Sequence, residues 1–189
     1  MIILASGSPR RHELLKKLCS NFKIEVSDAV EVQNNLEPKL LAVENAKIKA
    51  KAVADKNPGN IVIGADTIVV LNGKIFGKPK NSADAEQMLA ELADKKHEVI
   101  SGIAIICADG KIFTDFEVTE VFFGEMTAEE IKNYVATGEP LDKSGSYALQ
   151  GGATKFIEKI HGDWSNVVGL PVYRLKKLAQ SAGINFEES

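Results

Sequence analysis

A chain of 189 residues can form one well-packed domain or one domain with two lobes, and 44 % hydrophobic and 26 % charged residues are ordinary for a globular protein. Its 23 basic and 26 acidic residues give a net charge of −3, which argues against nonspecific coating of nucleic acid or an anionic membrane. Cys19 and Cys107 stand far apart with no metal-ligand spacing, the apolar start at residues 1–5 is too short for a signal-peptide core, and no run approaches transmembrane length; a cytoplasmic protein without a disulfide framework is expected.

In chain order, residues 2–5 read as a short buried strand. Ser8 then serves as N-cap and Pro9 as first helical residue, for a helix running to about Cys19. Residues 22–26 read as a second strand and 34–38 as a loop. A long Ala-, Lys- and Leu-rich helix follows over 39–56, stopped by Asn57-Pro58-Gly59-Asn60. The β-branched run 61–71 reads as a strand, and Asn72-Gly73 after it signals a tight hairpin. A helix is predicted over 82–93, then strands over 99–107 and 112–123 around the turn Ala108-Asp109-Gly110. Thr127 to Glu130 forms a capping box that opens a helix ending near Gly138. Residues 138–169 hold six glycines and little periodicity apart from a strand at 155–160, and an amphipathic helix closes the pattern over 171–182. Helices alternate with strands, but two hairpins interrupt them. A mixed α/β sheet in a single domain over 1–189 is expected.

Several stretches carry chemistry. "ASGSPRR" places Ser6, Gly7, Ser8, Arg10 and Arg11 where a first strand feeds a helix N-terminus, which suits an anion: backbone N–H groups, hydroxyls, and planar donor forks for phosphate. The alternative is a capped turn with two exposed arginines, although arginine there opposes the helix dipole.

In "IVIGADTIVVL", alternation sets Asp66 in a row with Val62, Gly64, Ile68 and Val70, where an unpaired carboxylate is costly. It is either a general base or metal ligand, or a cap for nearby N–H groups. In the long helix, Lys47 and Lys51 share a stripe with Glu44 and Asp55. Lys49 instead lies among Asn45, Ala46, Ala52 and Val53, so it either faces an anion or snorkels to water. Lys78, between Gly77 and Pro79, is by itself an exposed loop lysine. The glycine-rich stretch around Asp142 to Asn166 has the composition of a functional loop, and the Gln150 amide could read a base. His12, His97 and His161 have no ligand spacing, and no Walker A, GxGxxG or GxSxG motif is present.

"LASGSPRR", "GADTIVV", "GKP" and "EPLDKSGSYALQ" with "GDWSNVVGLPV" together resemble the Maf family of nucleoside triphosphate pyrophosphatases, from Leu4 to Val172. The resemblance implies a cytoplasmic, often homodimeric enzyme that uses a divalent metal, Mg²⁺ or Mn²⁺, and splits a nucleoside triphosphate into monophosphate and pyrophosphate. It implies an elongated two-lobed α/β domain with a central cleft, similar to inosine triphosphatases. Asp66 then corresponds to the proton acceptor, and Arg11, Thr67 and Gln150 to positions that select the base. Ser6, Lys49 and Lys78 correspond to phosphate-side positions, with Ser8 and Arg10 beside them. "GADT" with "YALQ" is similar to the branch acting on dTTP and UTP. Where the family commonly has adjacent acids after the second strand, this chain has Val30-Glu31-Val32, so Glu31 is the candidate partner of Asp66 for metal and catalysis. The alternatives are a non-catalytic nucleotide-binding regulator of septum formation, a pyrophosphatase for 7-methyl-GTP or CTP, and a phosphohydrolase releasing inorganic phosphate.

Overall fold

The structure is a computed structural model that describes residues 1–33 and 36–186. The predicted loop over 34–38 lies partly outside them, at Asn34 and Asn35.

Strand β1 (Ile2–Leu4) is wholly buried and parallel to both β2 (Phe22–Ile24) and β3 (Ile61–Leu71). β3 turns through Asn72 (φ 50°) and Gly73 (φ 79°) into antiparallel β4 (Lys74–Phe76). Two successive positive φ values make the tight hairpin that the Asn-Gly pair predicts. β5 (Lys96–Ile106), β6 (Ile112–Phe123) and β7 (Ile157–His161) complete a seven-stranded sheet of order β2-β1-β3-β5-β6-β7, with β4 on β3. β6 and β7 pair antiparallel, so the sheet is mixed as expected.

Helix α1 (Pro9–Leu15) is capped by Ser8 and starts at proline, as the sequence predicts. It stops short of Cys19 because its end tightens into i→i+3 bonds, from Lys17 N–H to the Leu14 carbonyl and from Leu18 N–H to that of Leu15. Helix α2 (Pro38–Ala54) buries Leu41, Ala42, Asn45, Ala46, Ala50 and Val53. Helix α3 (Ser82–Leu92) is capped by Asn81, and α4 (Ala128–Ala136) by the predicted capping box, with Thr127 and Glu130 bonded reciprocally. The stretch 138–169 is more ordered than its sequence suggests. It holds 3₁₀ turns at Glu139–Asp142, Ser144–Ser146 and Gly152–Phe156, then β7 and a short helix α5 (Trp164–Val168). Turns of three to five residues are too brief to print a period on the sequence. Helix α6 (Val172–Ser181) follows.

The chain forms two compact units. The first comprises residues 1–67, 101–117 and 169–189, and packs Ile3, Ala5, Ala46, Ala50, Val53, Val62, Ala104 and Ile106 together. The second comprises 68–100 and 118–168, around Phe76, Leu89, Leu92, Phe123, Tyr134 and Phe156.

Candidate active site

In the first unit, two glycines bring α2 down onto the sheet. A Cβ at Gly64 would lie 2.3 Å from the Ala46 carbonyl oxygen, and one at Gly102 would lie 2.3 Å from the Ala42 backbone. Only hydrogen fits at either point, so the helix rides directly on β3 and β5. Alternation sets Asp66 on the same side of β3 as Gly64. Lys49, on the inward side of α2, reaches it: Nζ donates to Asp66 Oδ1 at 2.6 Å. The same ammonium lies 2.8 Å from Glu31 Oε1.

The choice at Lys49 is thereby resolved toward an anionic partner, with its side chain 16 % exposed. Lys47 and Lys51 pair with Glu44 and Asp55 on the surface, as their stripe predicts. Asp66, 6 % exposed, is paired with a cation, and no backbone N–H among the described residues is seen to donate to its carboxylate. Glu31 is half-exposed, yet its carboxylate is held on the shared ammonium.

Arg11 bonds the chain on either side of Asp66. Its Nε donates to the Gly169 carbonyl at 2.7 Å, Nη1 to the Ala65 carbonyl at 3.0 Å and to Ser6 Oγ at 3.4 Å, and Nη2 to Thr67 Oγ1 at 3.1 Å. All three guanidinium nitrogens thus donate, in four hydrogen bonds, two of them to the residues flanking Asp66. Burial pulls the guanidinium below its ordinary pKa, while the Asp66 carboxylate pulls the other way. Arg11 is therefore not one of two exposed arginines on a capped turn.

Thr67 Oγ1 also hydrogen-bonds Ser101 Oγ at 2.8 Å and lies 3.3 Å from the Gly169 carbonyl. Gly169 adopts φ 125°, which favours glycine, and this turns its carbonyl onto both side chains. Ser6, 7 % exposed, accepts from Ser8 N–H at 3.2 Å as well as from Arg11, which leaves its own proton for donation. Ser8 caps α1, and Arg10 is half-exposed.

In the second unit, Lys78 and Gln150 are both exposed. The loop of Lys78 is tied to the segment leading to Gln150, since Gly145 N–H donates to the Gly77 carbonyl at 3.1 Å. Farther along that segment Tyr147 is buried against Phe123 and His97, with His97 Nε2 and Tyr147 Oη hydrogen-bonded at 2.8 Å. Burial drives the Tyr147 phenol well above its usual range. It lowers His97 to about 4, against a smaller opposite pull from a hydrogen bond with the Lys95 backbone.

A family model described as Maf-like protein matches residues 1–182. The chain belongs to this family. A dTTP/UTP pyrophosphatase of Bacillus cereus strain AH820 is 51 % identical over 175 residues, covering 92 % of this chain and 91 % of the relative. One from B. cereus ATCC 10987 is 50 % identical, covering 92 % and 86 %. Two solved structures share the fold: the Ham1 protein of Staphylococcus aureus (TM-score 0.53, 18 % identity, 96 % and 98 % coverage) and a HAM1 protein from Coxiella burnetii (TM-score 0.53, 16 % identity, 95 % and 98 %).

The Maf-like motifs of the first unit thus converge: Ser6, Ser8, Arg11, Glu31, Lys49, Asp66 and Thr67 all belong to it. Three participants escape a sequence reading. Ser101 and Gly169 meet Thr67 only through tertiary pairing, which leaves no local signal. Asn45, buried on α2, was visible only as one of Lys49's neighbours.

As for a divalent cation, Asp66 and Glu31 offer hard carboxylate oxygens gathered on one ammonium. Among the described residues no group of three or more His, Cys, Asp or Glu side chains is placed to hold a metal. The pair fits an ion such as Mg²⁺, which keeps several waters and takes one or two carboxylates together with substrate phosphates.

Proposed function

We propose that this chain hydrolyses dTTP and UTP to the monophosphate and pyrophosphate. The observation that carries the reading is the buried Asp66 carboxylate, held by Lys49 beside Glu31, in a chain half-identical to named dTTP/UTP pyrophosphatases.

Asp66 is the proton acceptor. Water attacks phosphorus, the bond between the α-phosphoryl group and the pyrophosphate breaks, and the proton from water passes to the Asp66 carboxylate. Arg11 holds both neighbours of Asp66, so the carboxylate is aimed before substrate arrives. Lys49 offsets the negative charge that grows on the departing pyrophosphate, and the Ser6 hydroxyl donates to a phosphate oxygen. Asp66 and Glu31 would hold Mg²⁺ or Mn²⁺, which when bound neutralises phosphate charge and lowers the pKa of coordinated water. Lys78 is assigned to phosphate. Arg11, Thr67 and Gln150 are assigned to selection of the base, Arg11 and Thr67 as a mutually bonded pair. A homodimer in the cytoplasm completes the proposal; no helix among the described residues is long and apolar enough to cross a membrane.

The test is a panel of nucleoside triphosphates with Mg²⁺ or Mn²⁺, scoring pyrophosphate against phosphate, with Asp66→Asn alongside. Pyrophosphate from dTTP and UTP is expected, with a loss in the variant of at least about 10²-fold. Preferential turnover of 7-methyl-GTP, CTP or a purine triphosphate refutes the substrate assignment. Phosphate as product, or a folded Asp66→Asn with full turnover, refutes the mechanism.

A further inference from the structure

Glu31 lies in a segment with neither strand nor helix, yet its carboxylate meets Lys49 at 2.8 Å. Something must hold that backbone in place. Its surface ties are weak candidates: Asp28 pairs with Lys56 at 2.8 Å, but both side chains are more than half exposed. A buried tie among the described residues is Asn45, 4 % exposed. Its Oδ1 accepts from Val32 N–H at 2.8 Å, and its Nδ2 donates to the Val32 carbonyl at 3.3 Å.

One side-chain amide therefore satisfies both backbone groups of a single residue, as a neighbouring strand would. Asn45 and Lys49 are four apart on α2 and so stack on one face of the helix. Val32 is received by the first, and Glu31, one residue earlier, by the second. We infer that Asn45 is a positioning residue, whose grip on Val32 sets Glu31 against the Lys49–Asp66 pair. The inference rests on the reading of Glu31 as part of the reactive cluster.

The side chain's chemistry is specific to this task. Alanine would leave the Val32 N–H and carbonyl without their partner. Aspartate would keep an acceptor for the N–H but set a carboxylate oxygen against the carbonyl. The two variants therefore differ in how much of the grip survives.

The experiment pairs amide hydrogen exchange with a kinetic cycle on the full chain. In Asn45→Ala the Val32 amide is expected to exchange at least about tenfold faster, while amides within β3 keep their protection. Asn45→Asp, which retains the bond to that amide, exchanges more slowly than Asn45→Ala. With dTTP and Mg²⁺, Asn45→Ala is expected to lower kcat by ~10- to 100-fold, about as much as Glu31→Gln, and to add nothing in the Glu31→Gln background.

Unchanged Val32 exchange overturns the inference. So do kcat losses at Asn45 and Glu31 that multiply, or a fully active Glu31→Gln. If wild-type protein turns over no nucleotide, the proposed function fails while the exchange measurement still decides whether Asn45 grips Val32.

Discussion

Lys49 Nζ and Asp66 Oδ1 lie 2.6 Å apart, the first on a helix and the second on the strand beneath it. The contact exists because Gly64, two residues before Asp66, has no side chain to hold the helix off. Charge placement and close packing are thus one design.

From this follows a contrast within a single helix. Lys49→Ala is expected to cut turnover severely, by about 10²-fold or more, because a buried carboxylate loses its cation and the leaving group its counter-charge. Lys47→Ala and Lys51→Ala remove only exposed ion pairs with Glu44 and Asp55, and are expected to leave turnover near wild type. Rates at saturating nucleotide, with a thermal melt for each variant, make the comparison; equal rates across the three would mean that the buried Lys49–Asp66 pair has no part in turnover.

Gly64→Ala tests the packing directly. The added methyl meets the Ala46 carbonyl oxygen at 2.3 Å and Ala50 Cβ at 2.9 Å, so the helix must shift. A destabilisation of about 1–3 kcal/mol is expected, with lowered kcat as Lys49 is drawn from Asp66. Gly77→Ala is the matched control, since nothing lies within 4 Å of a Cβ there. Chemical denaturation of both proteins suffices, and a Gly64→Ala protein as stable as its control would refute the close-approach account.

The regular elements were legible because they carry local signals. The β-branched run 61–71 and the strand 112–123 have the bounds predicted, and Asn72-Gly73 makes its hairpin. Within the site, Lys49 was readable as a break in a charged stripe, but the pattern left open whether it faced an anion or snorkelled to water; the contact with Asp66 decides it. The structural role of Arg11 was not readable. Its partners Ala65, Thr67 and Gly169 lie 54 to 158 residues away, and no spacing announces them. The motif "ASGSPRR" advertised an anion site, whereas the guanidinium of Arg11 is largely occupied by the protein itself.

His97 gives a prediction in pH. Burial lowers its folded pKa to about 4, against about 6.5 for an unfolded histidine. Between those values the unfolded chain holds a proton that the folded chain lacks, so stability rises with pH from about 4 to 6.5 and levels above. The full contribution is on the order of 3 kcal/mol. Wild type and His97→Gln are compared by denaturation across that window. As pH falls through that window wild type should lose stability relative to His97→Gln, and parallel profiles would mean that the imidazole is not held neutral.

Arg11→Lys separates a bracing role, visible only in the folded chain, from a role in binding substrate. A lysine keeps the charge but not the planar fork, so it cannot serve Gly169, Ala65, Ser6 and Thr67 together. If the guanidinium is chiefly a brace for the chain around Asp66, the variant loses stability, on the order of 3 kcal/mol, and kcat falls with it. If Arg11 chiefly binds nucleotide, the melt is unchanged and KM rises instead. The four intramolecular bonds favour the first outcome, and Arg11→Met, which removes the charge as well, should be at least as unstable. Selectivity between dTTP and a purine triphosphate, measured on the folded fraction of each variant, reads any remaining influence on the base. An Arg11→Lys protein that melts like wild type, with its entire defect in KM, would overturn the brace and leave Arg11 only its proposed role in selecting the base.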